Sequence, residues 1–260
     1  MKTRNDNVIL EVRDISKHFG ALVAVDRLSF RVYQGEIFGL IGPNGAGKST
    51  VLGVISGFEP PSTLESKVIF RGQNITKLRP YEIAKLGIGR NFQGLSLFMS
   101  LPVVDNVFVG FHKEYKAHAL ARILRLPAAV REEKELRARG SEILQRMGLE
   151  HVKNEITKHL PYGFQRILGI CIALACNPKI LLLDEPVTGM NQTEIQNMID
   201  LIRNLRNSGL TIVMIEHNMP AIMALCDRIA VLDHGQKIAE GLPREIQNNE
   251  AVIEAYLGKD

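Results

Sequence analysis

The sequence predicts an α/β domain whose core is a mostly parallel sheet. Strand-like apolar runs and amphipathic helical segments alternate along most of the 260 residues, which is the pattern of strand–helix–strand units. A glycine-rich loop at residues 42–50 lies between an apolar run and a helical segment, as in proteins that bind phosphate groups. Hydrophobic residues make up 45% of the chain and charged residues 23%, a composition that suits a buried core.

Each expected element follows from a periodic pattern or from the residues that end it. Residues 28–32 alternate apolar and polar side chains, which indicates a strand with one buried face. Continuous aliphatic runs indicate strands that are buried on both faces. Gly57 and the following prolines end the helix after the glycine loop. Strands are expected at residues 8–13, 28–32, 37–41, 67–71, 179–185, 210–216, 229–232 and 237–240, and helices at residues 49–56, 80–86, 103–111, 128–147, 165–175 and 191–207.

The sequence changes character between residues 94 and 160, where helical patterns predominate. Residues 128–147 form a charge-rich amphipathic pattern in which acids are interleaved with bases, so a solvated helical face is favoured over a nucleic-acid patch. The net charge of +4 is spread in the same way, and no nucleic-acid partner is expected. We expect a single domain over residues 1–260. Its core subdomain comprises residues 1–93 and 161–260, and residues 94–160 form an inserted helical subdomain.

The glycine loop fits the pattern G-x-x-x-x-G-K-[ST] of a phosphate-binding loop. Its glycines let successive backbone N–H groups point at phosphate oxygens, and the following helix adds its positive N-terminus. Lys48 is expected to reach the β- and γ-phosphates, and the Ser49 hydroxyl to bind Mg²⁺. An ordinary glycine-rich turn is the alternative, which the strand–loop–helix context disfavours. The expected nucleotide-binding residues of the loop are Gly42, Pro43, Asn44, Gly45, Ala46, Gly47, Lys48, Ser49 and Thr50.

Two acids end an aliphatic run later in the chain. Asp184 follows four aliphatic residues, so it is expected at the end of a buried strand, where it holds Mg²⁺ alongside Ser49. Glu185 comes next and is placed to act as the general base that polarises an attacking water. A helix cap or a solvated strand edge is the alternative interpretation of the Asp-Glu pair.

The cysteines, the N-terminal residues and the lengths of the apolar runs indicate the cellular compartment of the protein. Cys171, Cys176 and Cys226 show no metal-ligand or redox spacing, and this odd number without a signal peptide indicates a reducing compartment. The first seven residues are polar and lack the apolar region of a secretion signal. No run approaches the roughly 18 apolar residues that a membrane helix needs. We therefore expect the chain to act from outside the bilayer.

Several motifs occur in the order that is typical of the ABC ATPase family. Gln93 follows a short strand-like segment, and a Leu-x-x-Gly element at residues 160–163 precedes the carboxylate strand. That strand ends in Asp-Glu-Pro at residues 184–186, and His217 follows the next aliphatic strand. The chain therefore resembles ABC ATPases over nearly its whole length. The resemblance implies an α/β P-loop NTPase core with a mostly parallel sheet, an antiparallel N-terminal β subdomain and an inserted helical subdomain.

The resemblance also implies roles for single residues. Phe19 resembles the aromatic residue that stacks on adenine, with plain core packing as the alternative. Gln93 resembles the Q-loop glutamine that contacts Mg²⁺ and water. Tyr162 and Gly163 resemble residues of the signature element, which contacts the ATP of the opposing subunit, and His217 resembles the switch histidine near the γ-phosphate. The implied catalytic residues are Glu185, His217, Lys48 and Gln93, and the implied Mg²⁺ ligands are Ser49, Gln93 and Asp184.

Two segments resemble a narrower group, the ATPases of branched-chain (hydrophobic) amino acid importers. Residues 87–93 read Gly-Ile-Gly-Arg-Asn-Phe-Gln, and residues 238–258 are similar to the C-terminal segment of that group. The resemblance implies a subunit that binds and hydrolyses ATP to drive uptake of branched-chain or other hydrophobic amino acids. An amide or urea importer, a soluble non-transport ABC ATPase and a regulatory subunit with little hydrolysis are the alternatives.

Such a resemblance implies partners as well as ATP and Mg²⁺. A second ABC ATPase subunit, either a related chain or another copy, completes two ATP sites. The closure of the two ATPase subunits on ATP is passed to transmembrane permease subunits, and an extracytoplasmic solute-binding protein acts indirectly. The chain is then a peripheral protein at the cytoplasmic face of the membrane.

The signature element departs from the ABC pattern. Pro161 stands where the family favours serine, and it offers neither a hydroxyl nor an N–H donor. Phe164 stands where a glutamine is usual, and Asn191 where the D-loop has an aspartate, whereas Gly163 is kept. We expect normal ATP binding at this chain's own loop and a weaker contact with the ATP held by its partner.

Overall fold

The computed structural model divides into two compact units. The first comprises Met1–Arg90 and Lys179–Asp260, and the second comprises Asn91–Pro178. The expected division of one domain into a core and an inserted helical subdomain stays a prediction. The residues whose structure is described are 7–91, 97–112, 124 and 126–257.

The strands form two sheets. One sheet has the order β10-β9-β3-β8-β7-β6, and the other has the order β2-β1-β4-β5. The strands of the described residues are, in chain order, β1 (Val8–Phe19), β2 (Leu22–Tyr33), β3 (Ile37–Ile41), β4 (Lys67–Phe70), β5 (Gln73–Asn74), β6 (Ile88–Asn91), β7 (Ile180–Asp184), β8 (Thr211–Ile215), β9 (Arg228–Asp233) and β10 (Gln236–Gly241).

The six-stranded sheet is parallel at its centre. Strand β8 pairs in parallel with β3 on one side and with β7 on the other, and β9 pairs in parallel with β3. Strand β10 is antiparallel to β9, so the strands expected at residues 229–232 and 237–240 form a hairpin. Every residue of β3, β7 and β8 is buried, which is why these strands are continuous aliphatic runs. The predicted α/β core with a mostly parallel sheet is confirmed.

The second sheet is antiparallel and contains the N-terminal strands. Strand β1 pairs antiparallel with both β2 and β4, with several register irregularities along β1 and β2. Phe30 of β2 stacks on Phe38 of β3, with the ring centroids 5.1 Å apart. A stacked aromatic pair contributes about 0.5–1.5 kcal/mol beyond the burial of its surface. The Phe30–Phe38 contact therefore ties the antiparallel sheet to the strand that leads into the glycine loop.

Helices occur in both units. Those of the first unit are α1, α2 and α6 to α9, and those of the second are α3, α4 and α5. The helices of the described residues are α1 (Lys48–Ile55), α2 (Pro80–Leu86), α3 (Val103–Gly110), α4 (Pro127–Arg146), α5 (Tyr162–Ala175), α6 (Gln192–Asn207), α7 (Met219–Leu225), α8 (Pro243–Gln247) and α9 (Glu250–Leu257).

In the second unit, α3 packs closely against α5. A Cβ atom added at Gly110 would lie 2.6 Å from the Ile172 carbonyl oxygen, so only glycine permits this helix–helix distance. The fully buried Asn106 holds the start of α3 in place, because its side chain bonds to both backbone groups of Phe98 and to the Thr157 hydroxyl. This satisfied polar centre fixes the backbone that leads toward the signature element.

Two helices begin where local chemistry sets their first turn. Helix α5 starts at Tyr162 rather than at the expected residue 165, because Pro161 takes the N-cap position and its fixed φ suits the start of a helix. Helix α6 starts at Gln192, after Asn191, whose side chain accepts from the Glu194 N–H at 3.0 Å in a capping box. Asparagine and aspartate serve equally well as caps, so the helix start is preserved at the D-loop position.

Candidate functional site

The glycine loop connects β3 to α1, and Lys48 is the first residue of that helix. The Lys48 ammonium donates to the carbonyl oxygens of Gly42 at 2.9 Å and Pro43 at 2.8 Å, so it lies across the loop. Burial lowers the pKa of Lys48, and the negative charges of Glu185 and Asp184 oppose that change. The side chain is therefore a buried cation that interacts electrostatically with two carboxylates, a charge arrangement that suits phosphate bound together with Mg²⁺.

Close backbone packing sets the shape of the loop. A Cβ atom at Gly42 would lie 2.0 Å from the Leu232 carbonyl oxygen, and one at Gly47 would lie 2.2 Å from the Ala24 carbonyl oxygen. Gly47 also has a φ of +95°, in the region that favours glycine. The Gly235 N–H donates to the Ala46 carbonyl at 3.2 Å. The turn between β9 and β10 thus packs against the glycine loop and donates a hydrogen bond to it.

Asp184 ends β7 and is nearly fully buried, with 2% of its side chain exposed. The Ser49 hydroxyl donates to one carboxylate oxygen at 3.4 Å, and the Arg90 guanidinium donates to the other at 3.1 Å. Burial raises the pKa of Asp184, and the positive charge of Arg90 opposes that rise. Arg90 also donates to the Ser56 hydroxyl at 2.9 Å. Arg90 therefore orients one oxygen of the carboxylate, and the other oxygen, on the side of Ser49, is available to bind a ligand.

Glu185 and His217 approach each other at the ends of neighbouring strands. The His217 Nδ1 atom lies 3.9 Å from the Glu185 Oε1 atom, and the Thr188 hydroxyl donates to the other carboxylate oxygen at 3.2 Å. Glu185 has a φ of +50°, a left-handed conformation that is uncommon for a residue with a side chain. Strained backbone of this kind clusters at functional sites, and it persists only where the surrounding structure holds it in place.

The order of the parallel strands explains why these residues meet. The phosphate loop follows β3, His217 lies just beyond β8, and Glu185 lies just beyond β7, while β3, β8 and β7 are adjacent in the sheet. Ligands of open α/β sheets bind at the carboxyl ends of such strands. The fold therefore places Lys48, Ser49, Asp184, Glu185 and His217 together in the first unit.

Phe19 ends β1 with 45% of its residue surface exposed, so it is not a core residue. The Lys17 ammonium lies 4.8 Å from the centre of the ring, over one face. Lys17 is itself held by the Pro60 carbonyl at 2.9 Å and by Glu59 at 3.0 Å. The ring is thus held from one side while it stays open to solvent, as a stacking platform for a nucleobase must be.

The signature element opens α5 in the second unit. Tyr162 is exposed and lies under the Arg166 guanidinium, 5.0 Å from the ring centre, whereas Gly163 is buried. The Gln165 side chain donates back to the Leu160 carbonyl at 2.9 Å. Phe164 packs edge-on against His151. The N-cap residue, Pro161, has no side-chain group that accepts from the first N–H groups of this helix.

Gln93 lies outside the described residues. Three other residues that contact the phosphate loop or the catalytic carboxylate and histidine segments were not predicted from the sequence. Arg90 was part of a recognised segment but had no assigned partner. Glu216 follows an aliphatic strand just as Asp184 does, and that repeated pattern was the available signal. Burial raises the pKa of Tyr256, and a hydrogen bond from the Gly42 backbone opposes that rise, so the C-terminal helix reaches the phosphate loop.

The donor set suits Mg²⁺ and a nucleotide. Magnesium prefers oxygen ligands and is usually bound by one or two protein groups together with substrate phosphates. Ser49 and Asp184 supply a hydroxyl and a carboxylate that already lie 3.4 Å apart. Among the described residues there is no cluster of three or more His, Cys, Asp or Glu side chains that would hold a metal without a nucleotide.

A phosphate loop, an aliphatic strand that ends in two acids and a histidine beyond the neighbouring strand define a P-loop ATPase. The family model described as ABC transporter matches residues 25–188, and the model described as branched-chain amino acid ATP-binding cassette transporter matches residues 236–260. This chain belongs to the ABC transporter family of ATP-binding proteins.

Individual relatives agree with that assignment. The chain is 38% identical to the high-affinity branched-chain amino acid transport ATP-binding protein LivG of Escherichia coli (strain K12), over 96% of this chain and 98% of LivG. It is 36% identical to the corresponding protein BraF of Pseudomonas aeruginosa, with the same coverage. The solved ADP conformation of MJ1267, an ATP-binding cassette of an ABC transporter, matches with a TM-score of 0.84 at 29% identity over 97% of this chain and 99% of that chain.

Family membership establishes the general activity. The chain is an ATP-hydrolysing subunit of an ABC importer, and such ATPases work as dimers with membrane permease partners. Within the part of the chain that the structure describes, no helix combines the length and the apolar character needed to cross a membrane.

Proposed function

We propose that this chain powers the import of branched-chain or other hydrophobic amino acids. The observation that carries the proposal is the C-terminal segment, residues 236–260, which matches the family model of branched-chain amino acid ATPases. The names of LivG and BraF support the same substrate class. An amide or urea importer and a soluble non-transport ATPase have no comparable support.

In the proposed site each residue has one task. Backbone N–H groups of residues 42–50 and the Lys48 ammonium bind the phosphates, while Phe19 stacks on adenine. Ser49, Asp184 and Gln93 would hold Mg²⁺. When it is bound, the metal would neutralise negative charge on the phosphates.

The same geometry supports separate roles for Glu185, His217 and the signature element in hydrolysis. Glu185 accepts a proton from the attacking water, because its carboxylate lies just beyond β7, at the same edge of the sheet as the phosphate loop. His217 stabilises charge on the transferred phosphoryl group from the adjacent strand end. Tyr162 and Gly163 present the signature element to ATP held by the partner subunit. The partner is a LivF-like chain in a heterodimer or a second copy in a homodimer, and the pair lies peripherally at the cytoplasmic face of the permeases.

Co-purification tests the assembly. The chain is co-expressed with the permeases and the second ATPase of a branched-chain amino acid importer, and a complex that hydrolyses ATP faster when a loaded solute-binding protein is added is the expected result. ATP turnover with no membrane partner in the complex, and no response to the binding protein, would instead favour a soluble ATPase.

Substitution of the exposed aromatic residue should weaken nucleotide binding. Phe19→Ala is expected to raise the Kd for ATP about tenfold, because base–aromatic stacking contributes ~1–3 kcal/mol and 1.4 kcal/mol is a factor of ten. Phe19→Tyr should keep the affinity, and Tyr81→Ala, at another exposed aromatic that lies under a lysine ammonium, should not change it. Fluorescent-nucleotide titration measures the constants of the unaltered chain and of the three variants. Equal affinities for Phe19→Ala and the unchanged chain would exclude stacking by this ring.

Restoring the signature element should raise turnover. The double variant Pro161→Ser with Phe164→Gln adds a hydroxyl and an N–H toward the partner's ATP, and hydrogen bonds to charged groups are worth ~1.5–3 kcal/mol. ATP turnover of the assembled complex is therefore expected to rise about tenfold. Pro161→Ala with Phe164→Gln lacks only the hydroxyl, so its turnover separates the contribution of the hydroxyl from that of the other added groups. An unchanged rate in the double variant would show that these positions do not limit hydrolysis.

A further inference from the structure

Glu216 is a buried carboxylate that the functions above leave unused. It follows β8 directly, has 0% of its surface exposed and belongs to the first unit. Backbone N–H groups donate to both of its carboxylate oxygens. One carboxylate oxygen accepts from Val187 at 2.8 Å, and the other accepts from His217 at 3.1 Å and Asn218 at 3.2 Å.

These donors come from two different catalytic loops. Val187 lies two residues after Glu185, in the turn that the Thr188 N–H closes by donating to the Glu185 carbonyl at 3.3 Å. The other donors precede helix α7, for which Asn218 is the N-cap. A single buried side chain therefore bridges the segment that carries the proposed general base and the segment that carries the proposed switch histidine.

The chemistry of this bridge requires a carboxylate. An ionised carboxylate only accepts hydrogen bonds and has two oxygens, whereas an amide has one acceptor oxygen and one donor group. Three N–H donors converge here, so an amide would leave at least one of them facing another donor. Burial raises the pKa of Glu216, and the hydrogen bonds from Val187, Asn218 and His217 oppose that rise. Hydrogen bonds from N–H groups to a charged acceptor are about twice as strong as those to a neutral one.

We propose that Glu216 is a positioning residue for ATP hydrolysis, which fixes the loop of Glu185 and the loop of His217 in one arrangement. The proposal rests on the proposed roles of those two residues. It accounts for the 3.9 Å approach of the His217 ring to the Glu185 carboxylate, because both backbones are tied to the same buried side chain. Glu216 lies outside the phosphate loop, so ATP binding should not depend on it.

A double-mutant cycle tests this role in the ATPase complex with its partner subunits. Glu216→Gln is expected to lower kcat at least tenfold and to change the Kd for ATP less than twofold, since small misplacements of catalytic groups cost up to about a hundredfold in rate. In a His217→Ala background, the same Glu216→Gln substitution is expected to lower kcat by a smaller factor than in the unaltered chain, because the part of its effect that passes through the histidine loop is already lost while the part that passes through the Glu185 loop remains. Glu216→Asp runs the same cycle if the glutamine variant does not fold.

Glu36→Gln is the matched control. Glu36 is also a buried carboxylate of the first unit, and it accepts from the Tyr33 N–H at 2.8 Å and from Arg228 at 3.0 Å. It directly precedes β3, at the end of that strand opposite to the phosphate loop. Its replacement should leave kcat within twofold. An equal loss of kcat from Glu216→Gln in both backgrounds, or the same loss from Glu36→Gln, would overturn the positioning role.

The outcomes also separate this inference from the function on which it rests. A complex that shows no ATP turnover before any substitution would refute the proposed roles of Glu185 and His217, and the role of Glu216 with them. A complex that hydrolyses ATP, loses activity with Glu185→Gln and keeps its full kcat with Glu216→Gln would refute the role of Glu216 alone.

Discussion

Replacement of Glu185 by glutamine is expected to lower ATP turnover by about 10²–10⁴-fold and to leave ATP affinity intact. General-base catalysis contributes a factor of this size, and a glutamine amide cannot accept a proton from water. The amide has the shape of the carboxylate and can still accept from the Thr188 hydroxyl, which lies 3.2 Å from one Glu185 oxygen. The left-handed backbone at this position is also kept, so the structural effect of the change is small.

Phosphate release and nucleotide titration on the same preparation measure the two quantities. Glu133→Gln provides the control, because Glu133 is an exposed carboxylate of α4 that pairs with Arg137 and lies in the second unit. It should not change turnover. A Glu185→Gln complex that hydrolyses ATP at the unaltered rate would exclude this residue as the base.

Replacement of Asp184 by asparagine is expected to remove most of the Mg²⁺ dependence of ATP binding and to lower turnover at least a hundredfold. A bound metal stabilises charge on the phosphoryl group by several kcal/mol, and Asp184 is the charged ligand that Ser49 and Arg90 orient. The asparagine oxygen still accepts from the Arg90 guanidinium, so that buried cation keeps a partner. Loss of the partner altogether, as in Asp184→Ala, would add a stability cost of about 3–5 kcal/mol.

The measurement compares the Kd for ATP with Mg²⁺ and with a chelator. For the unaltered chain the constant should rise when Mg²⁺ is removed, and for Asp184→Asn the two values should nearly coincide. Asp200→Asn is the control, since Asp200 is an exposed residue of α6 paired with Arg203. A Mg²⁺ effect of full size in Asp184→Asn would place the metal elsewhere.

Local patterns predicted much of the fold and of the site. Continuous aliphatic runs predicted β3, β7 and β8 because these strands are buried on both faces, and the phosphate-loop pattern is specific enough to place Lys48 and Ser49. The hairpin of β9 and β10 was expected because His234-Gly235 separates two strand-like segments, and both turn residues have positive φ. The β5 strand and helices α7 to α9 were not anticipated, because short elements of two to eight residues carry little periodic signal.

Contacts between distant residues were beyond such reasoning. Arg90 reaches Asp184 across 94 positions, and Val187 reaches Glu216 across 29, so neither pair is visible in a local window. Strand order decides both, because it brings strand ends that are far apart in sequence to one edge of the sheet. The start of α5 differed for a local reason, since Pro161 allows the helix to begin three residues before the apolar pattern.

Uptake by a reconstituted transporter tests the central proposal most directly. Proteoliposomes that carry this chain, its partner ATPase and the permeases are loaded with ATP and Mg²⁺, and radiolabelled leucine is added outside together with the solute-binding protein. We expect leucine to accumulate inside only when ATP is present, with valine and isoleucine as competitors, and expect no accumulation with Glu185→Gln. Accumulation that continues without ATP or with Glu185→Gln, or a complex that hydrolyses ATP but moves none of these three amino acids, would contradict it.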